Sequence, residues 1–506
     1  MRPSVLLIGM DGAPWKLLRP WIEEGRLPAL KALMQEGSHG NLKGIMPLES
    51  GSAWVTMCSG KNPGKHGVYG FISESGKLIN SGHVRTRRLW NILSERGLRS
   101  AIINIPVTYP IEEIDGCMVS CFLTPPDAKD FFYPSSLGEL LEKTGYKIDI
   151  KHDKYAFIAD TTHFREKRGS YLEELYDIME RRCAVLKSLM EGPWDLFMIN
   201  FKECDTLQHY FWDEPNTMAE FFEKLDRHIG ELVRIYREKN PGAHLFVVSD
   251  HGFDASPTRA FNIGAWLRSI GKIRDERTLL QKTVPIAYAL ARKIPFSPLL
   301  FKSERVQQLR ELFQRKSIET SKIYFRQFGI HIPSTDSSLY EQEREHIIGL
   351  LKGMKDPRTG QEVFQIVGKR EEFYSGPFWK GAPDIITLPH PHHDIIFTSN
   401  EREIFKDINI PIPGKHFASL NGIVLIHGEK IRHETLEGAS IMDICPTILH
   451  ILGVPIPRDT DGKVLTQAFC EDSAYAASAP LMETDDDAST SAEKERIQSA
   501  IKGIRF

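Results

Sequence analysis

Long apolar runs, regular cysteine spacing and an excess of charge are all missing from this sequence. Its 506 residues contain no stretch of eighteen consecutive apolar side chains, so no membrane-spanning helix is predicted. Lysines and arginines number 64 against 67 aspartates and glutamates, and no basic patch is interleaved with aromatic residues. Binding to a nucleic acid duplex is therefore not expected.

Cysteine is scarce and irregularly placed. The odd number of cysteines and the lack of CxxC pairs argue against a disulfide framework and against a zinc ribbon. Reduced thiols lead us to expect a cytoplasmic protein. Burial is expected for the two that lie on an apolar, strand-like run, Cys117 and Cys121. The seven cysteines are Cys58, Cys117, Cys121, Cys183, Cys204, Cys445 and Cys470.

Short apolar runs that end in polar or glycine-containing turns predict buried strands. The first, residues 5–8, continues into Asp11 and Gly12 without the small-residue cleavage site of a signal peptide. Further runs lie at 101–105, 196–200, 245–249, 385–388 and 423–426. Helical patterns at 29–34, 88–95 and 218–236 alternate with them. This alternation predicts an α/β sandwich with a mainly parallel central sheet and helices on both faces.

Two stretches interrupt the alternation and predict cap segments. The expected core comprises residues 1–265 and 380–468, with a cap-like insertion at about 125–190. Residues 266–379 are expected to form a helical, basic insertion, and residues 469–506 a flexible tail with a short terminal helix at 493–504. The insertion is either a membrane-surface or anionic-substrate patch, or a solvated helical cap. The basic residues that would form the patch surround an apolar segment at 294–301 and are Arg292, Lys293, Lys302, Arg305, Arg310, Arg315 and Lys316.

Aspartates and histidines follow several of the predicted strands. In a sheet of this kind, ligands bind beyond the carboxyl ends of the strands. Taken singly, each residue could be a helix cap, a surface ion pair or a solvated loop residue. Taken together, they supply enough ligands for two divalent ions, with zinc preferred over manganese because three of them are histidines. The candidate ligands are Asp11, Asp205, His209, Asp250, His251 and His416.

The order of these motifs resembles the type I phosphodiesterase and nucleotide pyrophosphatase branch of the alkaline phosphatase superfamily. The resemblance covers residues 1–265 and 380–468. The matching positions are Asp11; Ser50 with Ala53, Trp54, Thr56, Gly60, Pro63, His66 and Gly67; Asp205 and His209; Asp250, His251 and Gly252; His416; and the closing run 443–465.

This resemblance implies a nucleophile and two metal sites. Ser50 would be the nucleophile, with Ser52 as the alternative if the loop aligns differently. Two departures concern residues near the nucleophile: many relatives have threonine in place of Ser50, and Phe71 stands where animal nucleotide pyrophosphatases have asparagine. Nucleotide preference is therefore not carried over. One metal would be held by Asp11, Ser50, Asp250 and His251, and the other by Asp205, His209 and His416.

The sequence therefore predicts a metal-dependent hydrolase of phosphodiesters or related phosphate esters that acts through a phosphoseryl intermediate. The expected partner is a small-molecule phosphate ester, and no oligomeric state is predicted. The same site would also suit a phosphomonoesterase, a phosphonate or sulfate hydrolase, or a phosphotransferase, although the Cys-x-Pro-x-Arg signature of sulfatases is missing. A rival from another class is a non-catalytic protein that binds metal or a membrane surface.

Overall fold

The computed structural model describes residues 3–73, 76–150, 161–273, 323–326, 329–333, 337–398 and 401–484, with backbone alone for 161–167 and 337. The predicted basic patch at 292–316 and the predicted terminal helix at 493–504 lie outside the described residues. The chain divides into two compact units. Unit 1 comprises Met1–Ser256, Phe373–Ala382 and Ile410–Phe506, and unit 2 comprises Pro257–Glu372 and Pro383–Asn409.

Strands and helices alternate through most of unit 1. The strands of the described chain are β1 Val5–Met10, β2 Ser38–Lys43, β3 Ser100–Ile103, β4 Gly116–Val119, β5 Phe132–Tyr133, β6 Leu196–Phe201, β7 His244–Val248, β8 Asp254–Ala255, β9 Arg259–Asn262, β10 Tyr324–Arg326, β11 Gly329–His331, β12 Phe364–Lys369, β13 Ile385–Pro389, β14 His393–Ile396, β15 Phe405–Asp407, β16 Gly414–Lys415, β17 Asn421–His427 and β18 Thr435–Leu436. The α-helices are α1 Trp15–Glu23, α2 Pro28–Gln35, α3 Ser50–Ser59, α4 Pro63–His66, α5 Leu89–Ser94, α6 Leu137–Thr144, α7 Thr161–Leu189, α8 Glu203–Phe211, α9 Pro215–Lys239, α10 Ile263–Ser269, α11 Ser337–Leu351, α12 Ile444–Ile451 and α13 Ala474–Ala477.

Unit 1 is built on a nine-stranded sheet in the order β18-β2-β17-β7-β1-β6-β3-β4-β5. From β7 to β4 the pairing is parallel; β1, for example, aligns Val5 with Leu196 on one side and with His244 on the other. The run predicted at 423–426 is β17, which lies antiparallel between β7 and β2. The predicted α/β fold with a mainly parallel central sheet is therefore confirmed.

The side chains of β1 alternate between two hydrophobic cores, as expected for a strand that is covered on both faces. Leu6 and Ile8 face a core that includes residues of α1, α2, α8 and α9. Val5 and Leu7 face a second core with residues of α3, α5 and α12. The sheet is thus buried on both sides, and its carboxyl edge is where polar side chains emerge.

Unit 2 contains smaller sheets. Strands β10, β11, β13 and β12 form an antiparallel sheet in that order. Strands β14, β9 and β15 form a mixed sheet, in which β14 is parallel and β15 antiparallel to β9. The run predicted as a strand at 385–388 is β13, so it belongs here and not to the large parallel sheet. Residues 323–372 were expected from sequence to be helical, but they contain the strands β10, β11 and β12 as well as α11. The short strand β11 forms because it pairs with β10 and β13. No helix within the described ranges is long and apolar enough to span a membrane.

Candidate active site

The carboxyl edge of the three central strands carries most of the predicted site. Asp11 directly follows β1, while Asp250 and His251 follow β7. Asp205 and His209 lie in α8, which begins two residues after β6 ends. Because β6, β1 and β7 are parallel neighbours, these side chains meet at one edge. Asp11, Asp250 and His251 are fully buried.

His416 reaches the same place through a short β-pair. It directly follows β16. That strand pairs antiparallel with β8, which begins three residues after His251. A Cβ atom on Gly414 would lie 2.2 Å from the Gln208 carbonyl oxygen, so glycine is required for this approach to α8. Its carbonyl oxygen in turn lies 3.0 Å from His209 Nδ1, which leaves Nε2 of that ring for the site.

Ser50 is the first residue of α3, and its hydroxyl lies between two of these side chains. Ser50 Oγ is 3.2 Å from Asp11 Oδ1 and 3.3 Å from His251 Nε2. The alternative nucleophile, Ser52, is fully buried, and its hydroxyl donates to the Val68 carbonyl oxygen at 2.9 Å. Of the two serines, Ser50 is therefore the one whose hydroxyl joins the cluster.

A first group of potential ligands surrounds Ser50. Ligand atoms of Asp11, Asp250 and His251 all lie within 4.8 Å of one another. His251 Nε2 is 3.7 Å from Asp11 Oδ1 and 3.4 Å from Asp250 Oδ2. The Nδ1 atom of His251 lies 3.0 Å from the Gly252 carbonyl oxygen, which orients Nε2 towards the carboxylates. A hydrogen bond from the other ring nitrogen to a carbonyl oxygen commonly fixes the orientation of a metal-binding histidine.

A second group adjoins the first. His209 Nε2 is 3.5 Å and His416 Nε2 is 3.8 Å from Asp205 Oδ1. Ligand atoms of Asp205, His251 and His416 also lie within 4.8 Å of one another. The rings of His251 and His416 stack with centroids 4.0 Å apart, so the two groups share one wall. All seven residues predicted from sequence therefore meet in one place.

The charges of this cluster suit divalent cations. Burial and the nearby charge of Asp11 raise the pKa of Asp205 to about 7 and that of Asp250 well above its usual value. Burial lowers the pKa of His209 to about 4 and holds that of His416 well below its usual value, so both imidazoles are neutral donors. Asp205 Oδ1 and Asp250 Oδ2 accept no hydrogen bond within the described structure. Buried carboxylate oxygens that accept no hydrogen bond and neutral imidazoles together form a donor set that fits metal ions.

Two residues that hold Asp11 were not singled out as site residues from sequence. Asp11 Oδ2 accepts hydrogen bonds from Asn200 Nδ2 at 2.8 Å and from Trp54 Nε1 at 3.2 Å. A Cβ atom on Gly9 would lie 2.3 Å from Trp54 Cη2 and 2.9 Å from Asn200 Oδ1. Trp54, named above only as a position that matches the family motif, is fully buried. Asn200 lies inside an apolar strand, and a polar residue in such a run is the only sequence signal that could have indicated a role for it.

Carboxylates, imidazoles and a serine gathered at the strand ends of an α/β fold form a site that suits a phosphoric ester hydrolase. The chain belongs to the type I phosphodiesterase / nucleotide pyrophosphatase family, whose sequence pattern matches residues 5–407. The resemblance inferred from the motifs is thereby confirmed. No curated protein matches the sequence significantly.

Solved structures share the fold at low sequence identity. The phosphonoacetate hydrolase of Sinorhizobium meliloti 1021, bound to phosphonoformate, has a TM-score of 0.55 at 14% identity, covering 90% of this chain and 96% of its own. Murine ectonucleotide pyrophosphatase/phosphodiesterase 5, in an inactive form with AMP, has a TM-score of 0.50 at 13% identity, with the same coverage. The alkaline phosphatase PafA has a TM-score of 0.53 at 13% identity, covering 93% of this chain and 99% of its own.

Proposed function

We propose that the protein hydrolyses phosphodiesters through a covalent phosphoseryl intermediate on Ser50. The observation that carries the proposal is the position of Ser50 Oγ, within 3.3 Å of both Asp11 Oδ1 and His251 Nε2. A serine hydroxyl needs activation to attack phosphorus, and this one lies inside a buried cluster of carboxylates and imidazoles.

The start of α3 supplies further groups for the reaction. The first N–H groups of an α-helix have no acceptor inside the helix, and the Glu49 side chain does not cap α3. The N–H groups of Ser50 and Gly51 are therefore available to phosphate oxygens beside the nucleophile. In this arrangement the bond between Ser50 Oγ and phosphorus forms as the bond to the leaving alcohol breaks, and water then hydrolyses the phosphoseryl ester.

Asp11, Ser50, Asp250 and His251 would hold one divalent ion, and Asp205, His209 and His416 the other. Three imidazoles favour zinc, with manganese as the alternative. When bound, a pair of divalent ions favours the ionised serine and offsets the charge of the phosphoryl oxygens. The protein itself holds the Ser50 hydroxyl, the carboxylates and the N–H groups of α3 in fixed positions around the phosphate.

The test of this function is a panel of chromogenic phosphodiester, phosphomonoester, phosphonate and sulfate substrates, assayed with zinc or manganese added. We expect a diester to have the highest kcat/KM, because the chain belongs to a phosphodiesterase family. Phosphonates belong in the panel because one structural relative is a phosphonoacetate hydrolase. A monoester that is turned over much more efficiently than every diester would contradict the expectation and identify a phosphomonoesterase.

Metal content gives a second prediction. We expect about two divalent ions per chain after zinc supplementation, since the two ligand groups together offer seven donors. A strong chelator should abolish activity, and added metal should restore it. Elemental analysis of the purified protein measures the stoichiometry. Near-zero metal after supplementation would exclude the two-ion centre.

Asn200 gives a third prediction, because it orients Asp11 without belonging to either ligand group. Asn200→Leu removes the 2.8 Å hydrogen bond to Asp11 Oδ2 and should weaken metal binding about 10- to 100-fold. Titration calorimetry of the metal-free protein measures this effect independently of turnover. Asn91, which lies in α5 and bonds to Glu112, provides the matched control as Asn91→Leu. Unchanged metal affinity in Asn200→Leu would show that the hydrogen bond from Asn200 is not needed to orient the carboxylate.

A further inference from the structure

The ring of Phe71 lies against the first turn of the helix that begins at Ser50. A Cβ atom on Gly51, the residue after Ser50, would lie 3.1 Å from both Phe71 Cδ1 and Cε1. The ring is half-buried, so part of its surface stays open to solvent. An apolar surface therefore directly flanks the proposed nucleophile.

The backbone of Phe71 is held on both sides. Its N–H donates to Glu49 Oε2 at 2.7 Å, and its carbonyl oxygen accepts from the Ile79 N–H at 2.8 Å. Gly70 has φ 155°, and a Cβ atom there would lie 2.6 Å from Glu49 Oε2. Glu49, which directly precedes Ser50, thus fixes the position of Phe71 through its carboxylate. This contact requires glycine at position 70.

A second aromatic ring extends this surface. Phe122 packs edge-to-face on Phe71 with centroids 5.6 Å apart and planes at 76°. It is also half-buried, and the Lys202 ammonium lies 5.0 Å from its centroid. Lys202 pairs with Asp149 at 3.0 Å, so the cation is anchored. Because Lys202 lies one turn before Asp205, the two rings link the Ser50 helix with the helix that carries the second ligand group.

Val107 completes the wall with a strained backbone. It has φ 61°, which is unusual for a β-branched residue, and its Cγ2 atom lies 3.7 Å from the position that a Cβ atom on Gly51 would take. The buried guanidinium of Arg88 donates to its carbonyl oxygen at 2.8 Å. Strain that is held in place beside a reacting group commonly serves preorganisation.

The stereochemistry of attack decides which part of a substrate meets this wall. In an in-line displacement the leaving oxygen departs on the side opposite the attacking oxygen. A surface beside Ser50 therefore contacts a substituent that stays on phosphorus, not the leaving group. In a phosphodiester that substituent is the retained ester group.

We propose that Phe71 and Phe122 form a binding wall for the retained ester group, so that the enzyme favours phosphodiesters in which this group is an aryl or similarly flat apolar moiety attached directly to the ester oxygen. The proposal rests on the proposed function, since it concerns the same nucleophile. Phe71 and Phe122 are then specificity-determining residues. They contribute through contact with a substituent that is present in both the ground state and the transition state, so their effect falls mainly on KM.

The test compares phenyl 4-nitrophenyl phosphate with methyl 4-nitrophenyl phosphate, which share a leaving group and differ only in the retained group. Phe71→Ala should lower the phenyl-to-methyl ratio of kcat/KM about tenfold, mainly through KM, because an aromatic contact and its buried area are lost. Phe122→Ala should lower the same ratio about threefold. In both variants kcat/KM should fall less for the methyl ester than for the phenyl ester, because the methyl group makes less contact with the wall.

Phe132→Ala provides the matched control. Phe132 forms an edge-to-face pair with Phe131 at 5.1 Å and is half-buried too, but it lies on the edge strand β5. The ratio should not change in this variant. If Phe71→Ala fails to fold, Phe71→Leu keeps most of the volume and should still lower the ratio.

Two outcomes would contradict the proposal. If the enzyme is an active diesterase but the Phe71 and Phe122 variants leave the ratio unchanged, the binding wall is wrong and the proposed function stands. A wild-type enzyme that hydrolyses neither diester with metal added would overturn the proposed function and the wall with it.

Discussion

Replacing Ser50 with alanine is expected to lower kcat by about four to six orders of magnitude, the scale seen when the nucleophile of another hydrolase is deleted. The substitution removes the attacking oxygen and leaves Asp11, Asp250 and His251 in place. The fold and most of the metal content should therefore persist. Steady-state kinetics on a diester, circular dichroism and elemental analysis of the same preparation measure the three quantities together.

Ser52→Ala is the matched control for this prediction. Ser52 lies in the same turn of α3, but its hydroxyl donates to the Val68 carbonyl oxygen and does not reach the carboxylates. Its loss should cost about 1 kcal/mol of stability and change kcat little. If Ser50→Ala kept more than about a tenth of the wild-type rate, against the loss expected for a nucleophile, direct attack by water would replace the phosphoseryl route.

His251→Ala is expected to reduce both metal content and turnover. Its Nε2 atom lies near Asp11 and Asp250, and its ring also belongs to the group formed with Asp205 and His416. We expect the loss of about one of two bound ions and a fall in kcat/KM on the order of a thousandfold or more, because chemistry at such centres depends on the pair of ions.

His244→Ala tests whether that effect is specific to the site. His244 is buried at the opposite end of the same strand, where its ring packs edge-to-face on Tyr475 at 5.2 Å. This variant should lose some stability while it keeps its metal and its activity. Equal metal loss in the two histidine variants would mean that the effect of His251→Ala comes from disturbance of β7 and not from a missing ligand.

The fold of unit 1 follows from sequence to a large extent, because its central strands are continuous apolar runs. The runs at 5–8, 196–200 and 245–249 fall on β1, β6 and β7 with shifts of one or two residues at the ends. Other elements could not be predicted from sequence, for a physical reason. Strand β2 is the segment Ser38–Lys43, whose glycine and polar residues carry no apolar signal, and it is a strand because β17 pairs with it. Strand β13 is apolar, but nothing in its composition shows which sheet it joins.

The candidate site divides in the same way. Strand ends and ligand spacing indicated six of the seven residues that the structure gathers, since parallel strands place their carboxyl ends at one edge, and the family resemblance added Ser50. The residues around them were harder to foresee. Asn200 lies in an apolar run, and nothing in the sequence shows that Phe122 packs on Phe71. Contacts of this kind depend on tertiary packing, which periodicity does not report.

Gly9 sets a limit on how the site can be recognised in related chains. It carries no functional group, yet an added methyl group would collide with the Trp54 indole and the Asn200 carboxamide, both of which hold Asp11. A homologue could thus keep all seven polar positions and still have a misoriented first carboxylate, simply because residue 9 is alanine. Inventories of active and inactive members that count polar residues alone would misclassify such a chain. Glycine at position 9 is therefore as informative a marker of an intact site as any of the ligand residues.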